Sequence, residues 1–524
     1  MYNVLAVDGI AAEGIEILKK NFNVEVHDKI SAAELLEIIP KFDALIVRSA
    51  SKVTAEVINR AENLKIIGRA GVGVDNIDIK AATERGIIVI NSPDGNTIAA
   101  TEHTFAMMAA LSRNIPQANK TMHAGGWDRK KFVGVELRNK TLAVIGLGRI
   151  GAGVAKRAQA FEMNVIAYDP FVSNERAESL GVKIVELDEL FKTADFITVH
   201  MPLTKQTENM ITLEKMKMMK PTTRLINCAR GGIINENDLA VALKEKIIAG
   251  AAIDVYTTEP LVENSPFREL DNIILTPHLG ASTIEAQIGV SLDVATGIVD
   301  ALNNRPVTTA VNMPHIPAHV LKKLAPYTTL AERLGRTITA LSKEPVANVE
   351  VKINGKIAEE NTALISTSVL KGVLSTALEH VNLVNANLLA QDRGIKLSET
   401  TSNVAGDFSN TVTVSANGNS VTGTLFGNEG RIVEINKFRV DVDPHSRILI
   451  CPHINRPGVI GEVGTILADY NINISSMQVG KTDIGGTNLM VLTVDNPISR
   501  AVIDKVRSSE AIFDATLVAF DDAE

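Results

Sequence analysis

The feature that most constrains the fold is a glycine motif about a quarter of the way along this chain of 524 residues. The stretch TLAVIGLGRIGAGVAKRAQAFEMNVIAYDP, from Thr141 to Pro170, reads as a strand, a glycine turn, a helix and a second strand. Gly146 permits the tight turn, Gly148 lets the backbone approach a pyrophosphate, and Gly151 lets the helix pack closely on the sheet. The phosphates then lie at the N-terminus of that helix. In this context the motif predicts a dinucleotide-binding domain.

An acidic residue after the motif indicates which dinucleotide is bound. Asp169 ends the second strand, where a carboxylate accepts hydrogen bonds from the ribose hydroxyls of adenosine and repels a 2′-phosphate. The sequence therefore predicts NAD as the cofactor, in preference to NADP.

The segments on either side of the motif alternate between two patterns. Short β-branched runs separated by helical stretches precede it, among them YNVLAV, DALIVRS and GIIVINS, and a second such series follows it. This alternation predicts βαβ units and parallel sheets. A long periodic helix, from Thr283 to Leu302, comes next. Because a glycine motif of this kind usually opens its domain, the preceding segment predicts a further domain in front of it.

Composition places the chain among ordinary globular proteins. Hydrophobic residues make up 45%, enough for a large core, and the formal net charge is −8. Such mild acidity gives no electrostatic reason to expect nucleic acid or a membrane as partner. The N-terminal stretch does not resemble a signal peptide, and the two cysteines cannot form a disulfide framework, so we expect a cytoplasmic protein. We expect Cys451 to be a small buried residue.

Three residues with catalytic chemistry follow successive strands of the second series: Arg230 in NCARGG, Glu259 in DVYTTEP and His278 in LTPHLGAST. Ligands collect at the carboxyl ends of such strands. Oxidation of a 2-hydroxy acid needs a cation for the carboxylate, a base for the hydroxyl proton and a group that orients the base. An arginine, a histidine and a carboxylate supply these roles. Taken singly, each of the three residues has a structural explanation, but the three motifs in this order favour a catalytic role. We predict no metal ion.

With these motifs the chain resembles the D-isomer-specific 2-hydroxyacid dehydrogenase family over essentially its whole length. The resemblance implies an α/β protein in which a Rossmann nucleotide domain is inserted into a flavodoxin-like substrate domain. An α+β intervening domain and a ferredoxin-like ACT domain follow. The implied segments are 1–95 and 283–313 for the substrate domain, 96–282 for the NAD-binding domain, 314–444 for the intervening domain and 445–524 for the ACT domain.

The resemblance also implies the site residues. Arg230 would anchor the substrate, His278 would act as the acid and base, and Glu259 would be its partner. The cofactor would be bound by Val72, Gly146, Gly148, Arg149, Ile150, Gly151, Asp169, Cys228, Arg230, Asp254 and His278. The substrate would be bound by Arg48, Ser49, Val72, Gly73, Asn76, Arg230 and His278.

The implied reaction is NAD-dependent oxidation of 3-phospho-D-glycerate to 3-phosphohydroxypyruvate, the first step of L-serine biosynthesis. The phosphate needs additional cations, and Arg48 is the first candidate. The basic run Arg129, Lys130 and Lys131 would either add charge across a dimer interface or form a solvated loop. We expect Trp127 to be a packing anchor rather than a substrate contact, although at an oligomer interface it could be both. The resemblance suggests a homotetramer.

Two other functions stay open at this point. The triad does not by itself distinguish 3-phosphoglycerate from glyoxylate, hydroxypyruvate or 2-oxoglutarate, although the long C-terminal extension argues against those substrates. A nucleotide-sensing protein similar to transcriptional corepressors would share the fold, but such proteins lack the C-terminal unit. Turnover of NADH separates an enzyme from a sensor.

The last segment, which contains HINRPGVIGEV and NINISSMQVG, reads as strand, helix, strand, strand, helix, strand. It resembles an ACT domain. The resemblance implies feedback inhibition by L-serine, bound by His453, Asn455 and Asn473, for which the alternative is ordinary turn and cap chemistry. In the preceding domain an Asn417-Gly418 pair predicts a hairpin. Lys437 and Arg439 are candidates there for an anion site.

Overall fold

The structure, a computed structural model, describes residues 1–404, 406–481 and 486–520, and four β-sheets follow one another through these residues. The end of the segment 445–524, beyond residue 520, lies outside the described residues. None of the described helices is long and apolar enough to cross a membrane.

The first sheet has five parallel strands in the order β2-β1-β3-β4-β5, the flavodoxin order. Its strands are β1 (Asn3–Val7), β2 (Asn23–His27), β3 (Ala44–Val47), β4 (Ile66–Arg69) and β5 (Ile88–Asn91). The helices between them are α1 (Ala12–Lys19), α2 (Ala32–Ile38), α3 (Ala55–Arg60) and α4 (Ile79–Glu84). Strands β1, β3 and β4 are apolar along nearly their whole length because helices cover both faces of the sheet.

Two helices, α5 (Thr97–Ser112) and α6 (Ile115–His123), lead into the second sheet, which has seven parallel strands in the order β12-β11-β10-β9-β6-β7-β8. Its strands are β6 (Thr141–Ile145), β7 (Asn164–Tyr168), β8 (Lys183–Ile184), β9 (Phe196–Val199), β10 (Arg224–Asn227), β11 (Gly250–Ile253) and β12 (Ile273–Leu275). Its helices are α7 (Arg149–Ala160), α8 (Asn174–Ser179), α9 (Leu187–Thr193), α10 (Leu213–Lys217) and α11 (Glu236–Lys244). The strand order reverses between β6 and β9, which opens a ligand crevice at their carboxyl ends.

After the second sheet the chain returns to the first through α12 (Ile284–Leu302). The Thr283 hydroxyl caps the helix by accepting from the Ala286 amide at 3.1 Å. The buried face of α12 joins the core of the first sheet, and Val294 packs on β4 at Gly68. The predicted insertion of the Rossmann fold into a flavodoxin-like fold is therefore confirmed.

The third sheet has six strands in the order β14-β13-β15-β16-β17-β18, of which only β13 and β14 pair in parallel. Its strands are β13 (Asn348–Gly355), β14 (Lys396–Ser402), β15 (Asn410–Ala416), β16 (Asn419–Phe426), β17 (Glu429–Ile435) and β18 (Phe438–Val442). The helices that accompany it are α13 (Ala318–Leu341), α14 (Ala363–Leu374) and α15 (Ala386–Asp392). The predicted hairpin is present, and Asn417 and Gly418 at its turn have φ values of 48° and 78°.

The fourth sheet is antiparallel, in the order β20-β21-β19-β22. Its elements are β19 (Arg447–Ile454), α16 (Val459–Asp469), β20 (Ile474–Lys481), β21 (Thr487–Val494), α17 (Arg500–Arg507) and β22 (Thr516–Ala519). This is the predicted ferredoxin-like arrangement. One face packs on α16 and α17 and includes the buried Cys451, as expected. The other face, which includes Ile448 and Ile450, joins the core of the third sheet.

The contact between α12 and β4 generates a stability prediction. A Cβ atom at Gly68 would lie 2.3 Å from Cγ1 of the buried Val294, whose branched side chain has little room to turn. We expect Gly68→Ala to destabilise the first sheet by about 1–3 kcal/mol through overpacking, and so to lower the midpoint of thermal unfolding.

The matched control is Gly289→Ala on α12 itself, where the nearest atom, the Gly95 carbonyl oxygen, lies 3.4 Å from the added Cβ and the gain in helix propensity is about 1 kcal/mol. Calorimetry of both variants makes the comparison. A Gly68→Ala protein that melts at or above the temperature of the unmodified chain would contradict the packing of α12 on β4.

Candidate active site

The carboxyl ends of three neighbouring strands position the three residues of the sequence triad. Arg230 follows β10, Glu259 follows β11 and His278 follows β12, and these strands are adjacent in the second sheet. In a parallel sheet all carboxyl ends meet at one edge, so residues far apart in sequence converge there.

His278 and Glu259 form a hydrogen-bonded pair, with 2.8 Å between Nδ1 of the histidine and Oε2 of the glutamate. The other glutamate oxygen accepts from the backbone amide of Tyr256 at 3.1 Å, which fixes the carboxylate. An ionised carboxylate can only accept, so Nδ1 of His278 donates and its neutral form keeps Nε2 unprotonated. The pair is half-exposed, and Nε2 is the atom that can exchange a proton with a substrate.

The turn that carries His278 is anchored to Asp254. His278 has a φ of 54°, an unfavourable value for a residue with a Cβ, and its amide donates to the Asp254 carbonyl at 2.9 Å. The fully buried Asp254 carboxylate accepts from the Thr276 hydroxyl at 2.6 Å and from the amides of Leu279 and Gly280 at 2.7 and 2.9 Å. Together these bonds stabilise the strained histidine.

The same carboxylate lies 3.2 Å from Nε2 of His103 and close to Cys228. Burial alone would raise the pKa of Asp254, but hydrogen bonds from His103, Thr276 and Leu279 hold it below its usual value. Burial, together with the Asp254 charge, raises the pKa of Cys228 to about 12. The thiol therefore keeps its proton at neutral pH. The donor atoms of His103, Cys228 and Asp254 lie within 4.8 Å of one another.

Arg230 reaches across the cleft to the loop between β4 and α4. Its Nε donates to the Asp75 carboxylate at 3.1 Å, and one terminal nitrogen donates to the Ala229 carbonyl at 2.7 Å. The other terminal nitrogen lies over Gly73, where a Cβ would be only 2.1 Å away. Because Gly73, a predicted substrate residue, has no side chain, the guanidinium of Arg230 has room beside it. Val72, also a predicted site residue, accepts at its carbonyl from the Asn91 side-chain amide at 2.6 Å.

The structure adds Arg69, which the sequence analysis did not select. Burial lowers the pKa of Arg69 to about 10, and the positive charges of Arg230 and Arg48 act in the same direction, against Asp75 and Asp8. Its buried Nε has no hydrogen-bond partner. A charged residue at the end of the apolar run LKIIGRAG was the available signal, since such a residue is rarely buried without function. Three arginines therefore share this cleft.

The other predicted substrate residues lie at the same edge of the first sheet. Arg48 and Ser49 follow β3, and Ser49 is exposed. The Asn76 amide donates to the carbonyls of Arg48 and Ser51, each at 2.7 Å, so it holds the Arg48 backbone in place.

The glycine loop has the geometry that its sequence predicts. Gly146 has a φ of 96°, and a Cβ there would lie 2.6 Å from the His200 carbonyl. A Cβ at Gly151 would lie 2.0 Å from the Gly146 carbonyl, whereas Gly148 faces open space. Arg149 begins α7, followed by Ile150, and the Arg149 Nε lies 2.6 Å from the Asp94 carboxylate. The open approach and the helix N-terminus fit a pyrophosphate.

Asp169 stabilises the loop that it follows. One carboxylate oxygen accepts from the Leu147 amide at 2.8 Å, and the other accepts from the Phe171 amide at 2.9 Å. A carboxylate has about four lone-pair sites, so both oxygens can still accept from ribose hydroxyls.

The basic run and Trp127 lie on the loop that follows α6. Trp127 is 78% exposed, so it does not pack into the core of its own chain, and its role as a packing anchor stays a prediction for an oligomer interface. Arg129, Lys130 and Lys131 are exposed too, and the amides of the two lysines donate to the Asp128 carboxylate in a local turn. The ring of Trp127 lies outside the core of its own chain.

The predicted effector residues lie in the fourth sheet. His453 is 3% exposed, its Nδ1 bonds to the Ile454 carbonyl at 2.9 Å, and its buried Nε2 has no partner. The Asn455 side-chain oxygen accepts from the Asn488 amide at 3.0 Å. Asn473 precedes β20, where its amide donates to Asp495. In the third sheet the candidate Lys437 is in a turn with a φ of 69°, and Arg439 pairs with Asp407 at 2.9 Å.

Comparison with known proteins identifies the class. Residues 105–280 match the NAD binding domain of D-isomer specific 2-hydroxyacid dehydrogenases, residues 323–436 match the D-3-phosphoglycerate dehydrogenase intervening domain, and residues 448–511 match the ACT domain. The fold and the site thus define an NAD-dependent dehydrogenase of the D-isomer-specific 2-hydroxyacid class. Within this class the chain belongs to the D-3-phosphoglycerate dehydrogenase family.

Similarity to individual members supports this placement. The D-3-phosphoglycerate dehydrogenase of Synechocystis sp. is 47% identical over 99% of this chain and 95% of its own length. That of Bacillus subtilis is 42% identical over 99% of both chains. Among solved structures, the TT0316 protein from Thermus thermophilus is 32% identical, with a TM-score of 0.56 over 59% of this chain and 99% of that chain.

The position of Asp169 predicts the cofactor preference of the enzyme. We expect Asp169→Ala to narrow the preference for NAD over NADP, because the substitution removes the charge that repels a 2′-phosphate and a partner of the ribose hydroxyls. The variant also loses the bond to the Leu147 amide, so KM for NAD should rise. Steady-state kinetics with both cofactors measures the effect, and equal turnover with NAD and NADP by the unmodified enzyme would refute the assignment.

Proposed function

We propose that this enzyme oxidises 3-phospho-D-glycerate to 3-phosphohydroxypyruvate with NAD, the first step of L-serine biosynthesis. The observation that carries the proposal is the hydrogen-bonded His278–Glu259 pair together with a group of three arginines, in which Arg230 and Arg48 act electrostatically on Arg69. A substrate with two anionic ends fits such a group. The names of the relatives, which are D-3-phosphoglycerate dehydrogenases, support the same substrate.

Each residue of the triad has a defined role in this reaction. Arg230 binds the substrate carboxylate and polarises the C2 oxygen as it becomes a carbonyl. Nε2 of His278 takes the hydroxyl proton, and Glu259 stabilises the resulting imidazolium through Nδ1. NAD, when bound, accepts the hydride that leaves C2. Asp254 keeps the His278 turn in place while the proton moves.

The phosphate is the group that distinguishes this substrate from glycerate, and we assign it to Arg48 with help from Arg69. Both arginines stand at the carboxyl edge of the first sheet, Arg48 just after β3 and Arg69 at the end of β4. The unpartnered Nε of Arg69 is a donor that an anion can satisfy.

A homotetramer is part of the proposal. The segment from α6 through the following loop exposes four large apolar side chains, Ile115, Met122, Trp127 and Val133. Such a run is typical of a surface that another copy covers. The basic run Arg129, Lys130 and Lys131 lies within it and would then approach a neighbouring cleft. Sedimentation tests the stoichiometry.

We also propose that L-serine inhibits the enzyme through the fourth sheet, at a site with His453, Asn455 and Asn473. The buried, unpartnered Nε2 of His453 supports a polar ligand near the end of β19. Inhibition requires that L-serine bind two states of the enzyme with different affinity.

The catalytic assignment predicts the effect of His278→Ala. We expect turnover of 3-phosphoglycerate to fall by about 10²–10⁴-fold, because proton transfer is lost, while NADH binding changes little. Arg230→Ala should also raise KM for the substrate, because the carboxylate loses its partner. His319→Ala, at an exposed histidine of α13, is the matched control and should retain normal turnover.

Initial rates with 3-phosphoglycerate are compared with those for D-glycerate and, in the reverse direction, for 2-oxoglutarate. Near-normal turnover by His278→Ala at neutral pH would contradict the role of the histidine. Equal use of D-glycerate and 3-phosphoglycerate by the unmodified enzyme would contradict the substrate.

The regulatory assignment predicts stereoselective inhibition. We expect L-serine but not D-serine to inhibit the intact enzyme, and Asn455→Ala to relieve the inhibition with normal basal turnover. Removal of the chain after Asp443 should relieve it too, but it also uncovers the core of the third sheet, where Ile448 and Ile450 pack. The point variant is therefore the cleaner test. Calorimetry that shows no L-serine binding to the intact enzyme, with or without phosphate, would rule out this regulation.

A further inference from the structure

A short loop carries the arginine that we assign to the substrate phosphate. This arginine loop, residues 48–51, lies between β3 and α3 at the carboxyl edge of the first sheet. A loop at such an edge has no ladder partners of its own, so something else must fix its backbone if its side chain is to bind a ligand at a defined place.

Asp8 holds the arginine loop from one side. One of its carboxylate oxygens accepts from the backbone amides of Arg48 and Ser51, both at 3.0 Å, and the other accepts from the Ser51 hydroxyl at 2.6 Å. Asp8 follows β1, the strand beside β3, so the contact joins neighbouring strand ends. Charge-assisted hydrogen bonds of this kind are stronger and more directional than neutral ones.

Asn76 holds the loop from the other side. Its amide donates to the carbonyls of Arg48 and Ser51, each at 2.7 Å. The backbone donors of these two residues are therefore bound to Asp8, and their backbone acceptors are bound to Asn76. Little freedom remains for the Arg48 backbone.

The position of Asp8 is costly on two counts. Its φ of 67° lies in the left-handed region, where a residue with a Cβ is strained. Its negative charge also acts on Arg69 and would oppose the binding of an anion nearby. The charge of Asp8 therefore disfavours binding of an anionic substrate. The role of Asp8 lies instead in the hydrogen bonds that it makes to the arginine loop.

We propose that Asp8 is a positioning residue that fixes Arg48 for the phosphate of the substrate and so contributes to the choice of a phosphorylated 2-hydroxy acid. The inference rests on the proposed function, because it takes Arg48 as the phosphate ligand. It assigns Asp8 no contact with the substrate and no part in proton or hydride transfer.

Two substitutions separate position from charge. Asp8→Gly tolerates the positive φ but loses every bond to the loop. Asp8→Asn also tolerates the positive φ, and it removes the charge. It keeps the bonds, because the side-chain oxygen of the asparagine can accept from both backbone amides and the side-chain nitrogen can donate to the Ser51 hydroxyl oxygen. KM and kcat are measured for 3-phosphoglycerate and NAD, and kcat/KM for D-glycerate, with thermal melting as a check of folding.

For Asp8→Gly we expect KM for 3-phosphoglycerate to rise about tenfold, which is about 1.4 kcal/mol and less than the full worth of the three lost hydrogen bonds, because Asn76 still holds the loop. We expect little change in kcat or in KM for NAD. Asp8→Asn should keep KM at or below that of the unmodified enzyme, because the geometry persists and a repelling charge is gone. The efficiency with D-glycerate, which has no phosphate, should not change in either variant.

An unchanged KM in Asp8→Gly would overturn the proposal, and so would an equal rise of KM in Asp8→Asn or a parallel loss with D-glycerate. If Asp8→Gly does not fold, Ser51→Ala provides a second test, because it removes one of the three bonds. We expect Ser51→Ala to raise KM for 3-phosphoglycerate about two- to threefold. An unchanged KM in Ser51→Ala would also overturn the proposal. Failure of the unmodified enzyme to prefer 3-phosphoglycerate over D-glycerate would instead refute the proposed function.

Discussion

The buried carboxylate of Asp254 is the interaction on which the active-site edge depends. It accepts from Thr276, Leu279 and Gly280, and these bonds offset the strain of the left-handed His278 between them. A histidine in a relaxed turn would point elsewhere and could not meet Glu259 at 2.8 Å. A charge buried without such donors would cost several kcal/mol, so the donors and the carboxylate stabilise each other. The second sheet supplies the rigid strand ends that make this arrangement possible.

The first two sheets contribute different charged groups to the cleft. The second sheet contributes the His278–Glu259 pair, and the first sheet contributes Arg48 and Arg69, with Arg230 reaching between them. Burial lowers the pKa of Arg69, and repulsion from Arg230 and Arg48 adds to this effect, while Asp75 and Asp8 oppose it. A doubly anionic substrate relieves this repulsion, whereas a singly charged one relieves it only in part. Under the proposed function, the first sheet would therefore select the substrate and the second sheet would perform the chemistry.

The sequence was sufficient for features that depend on local pattern, and insufficient for those that depend on long-range contacts. The glycine motif, the long helix α12 and the Asn417-Gly418 hairpin are encoded by neighbouring residues, and all are present. The return of α12 to the first sheet is a long-range feature, which only the family resemblance implied. Arg69 was missed because its burial depends on packing that no local pattern reports. The bonds of Asp8 to residues 48–51 join positions some forty residues apart, and the exposure of Trp127 depends on which surface the core leaves uncovered.

The core that the third and fourth sheets share has a consequence for how such proteins can be rearranged. Ile448 and Ile450 alternate with Leu449 and Cys451, so β19 packs into one core with one face and into a second core with the other. A strand that belongs to two cores cannot be exchanged without remaking both. Transferring the fourth sheet to another dehydrogenase would therefore require the third sheet to be transferred with it, because both sheets share the core that contains Ile448 and Ile450.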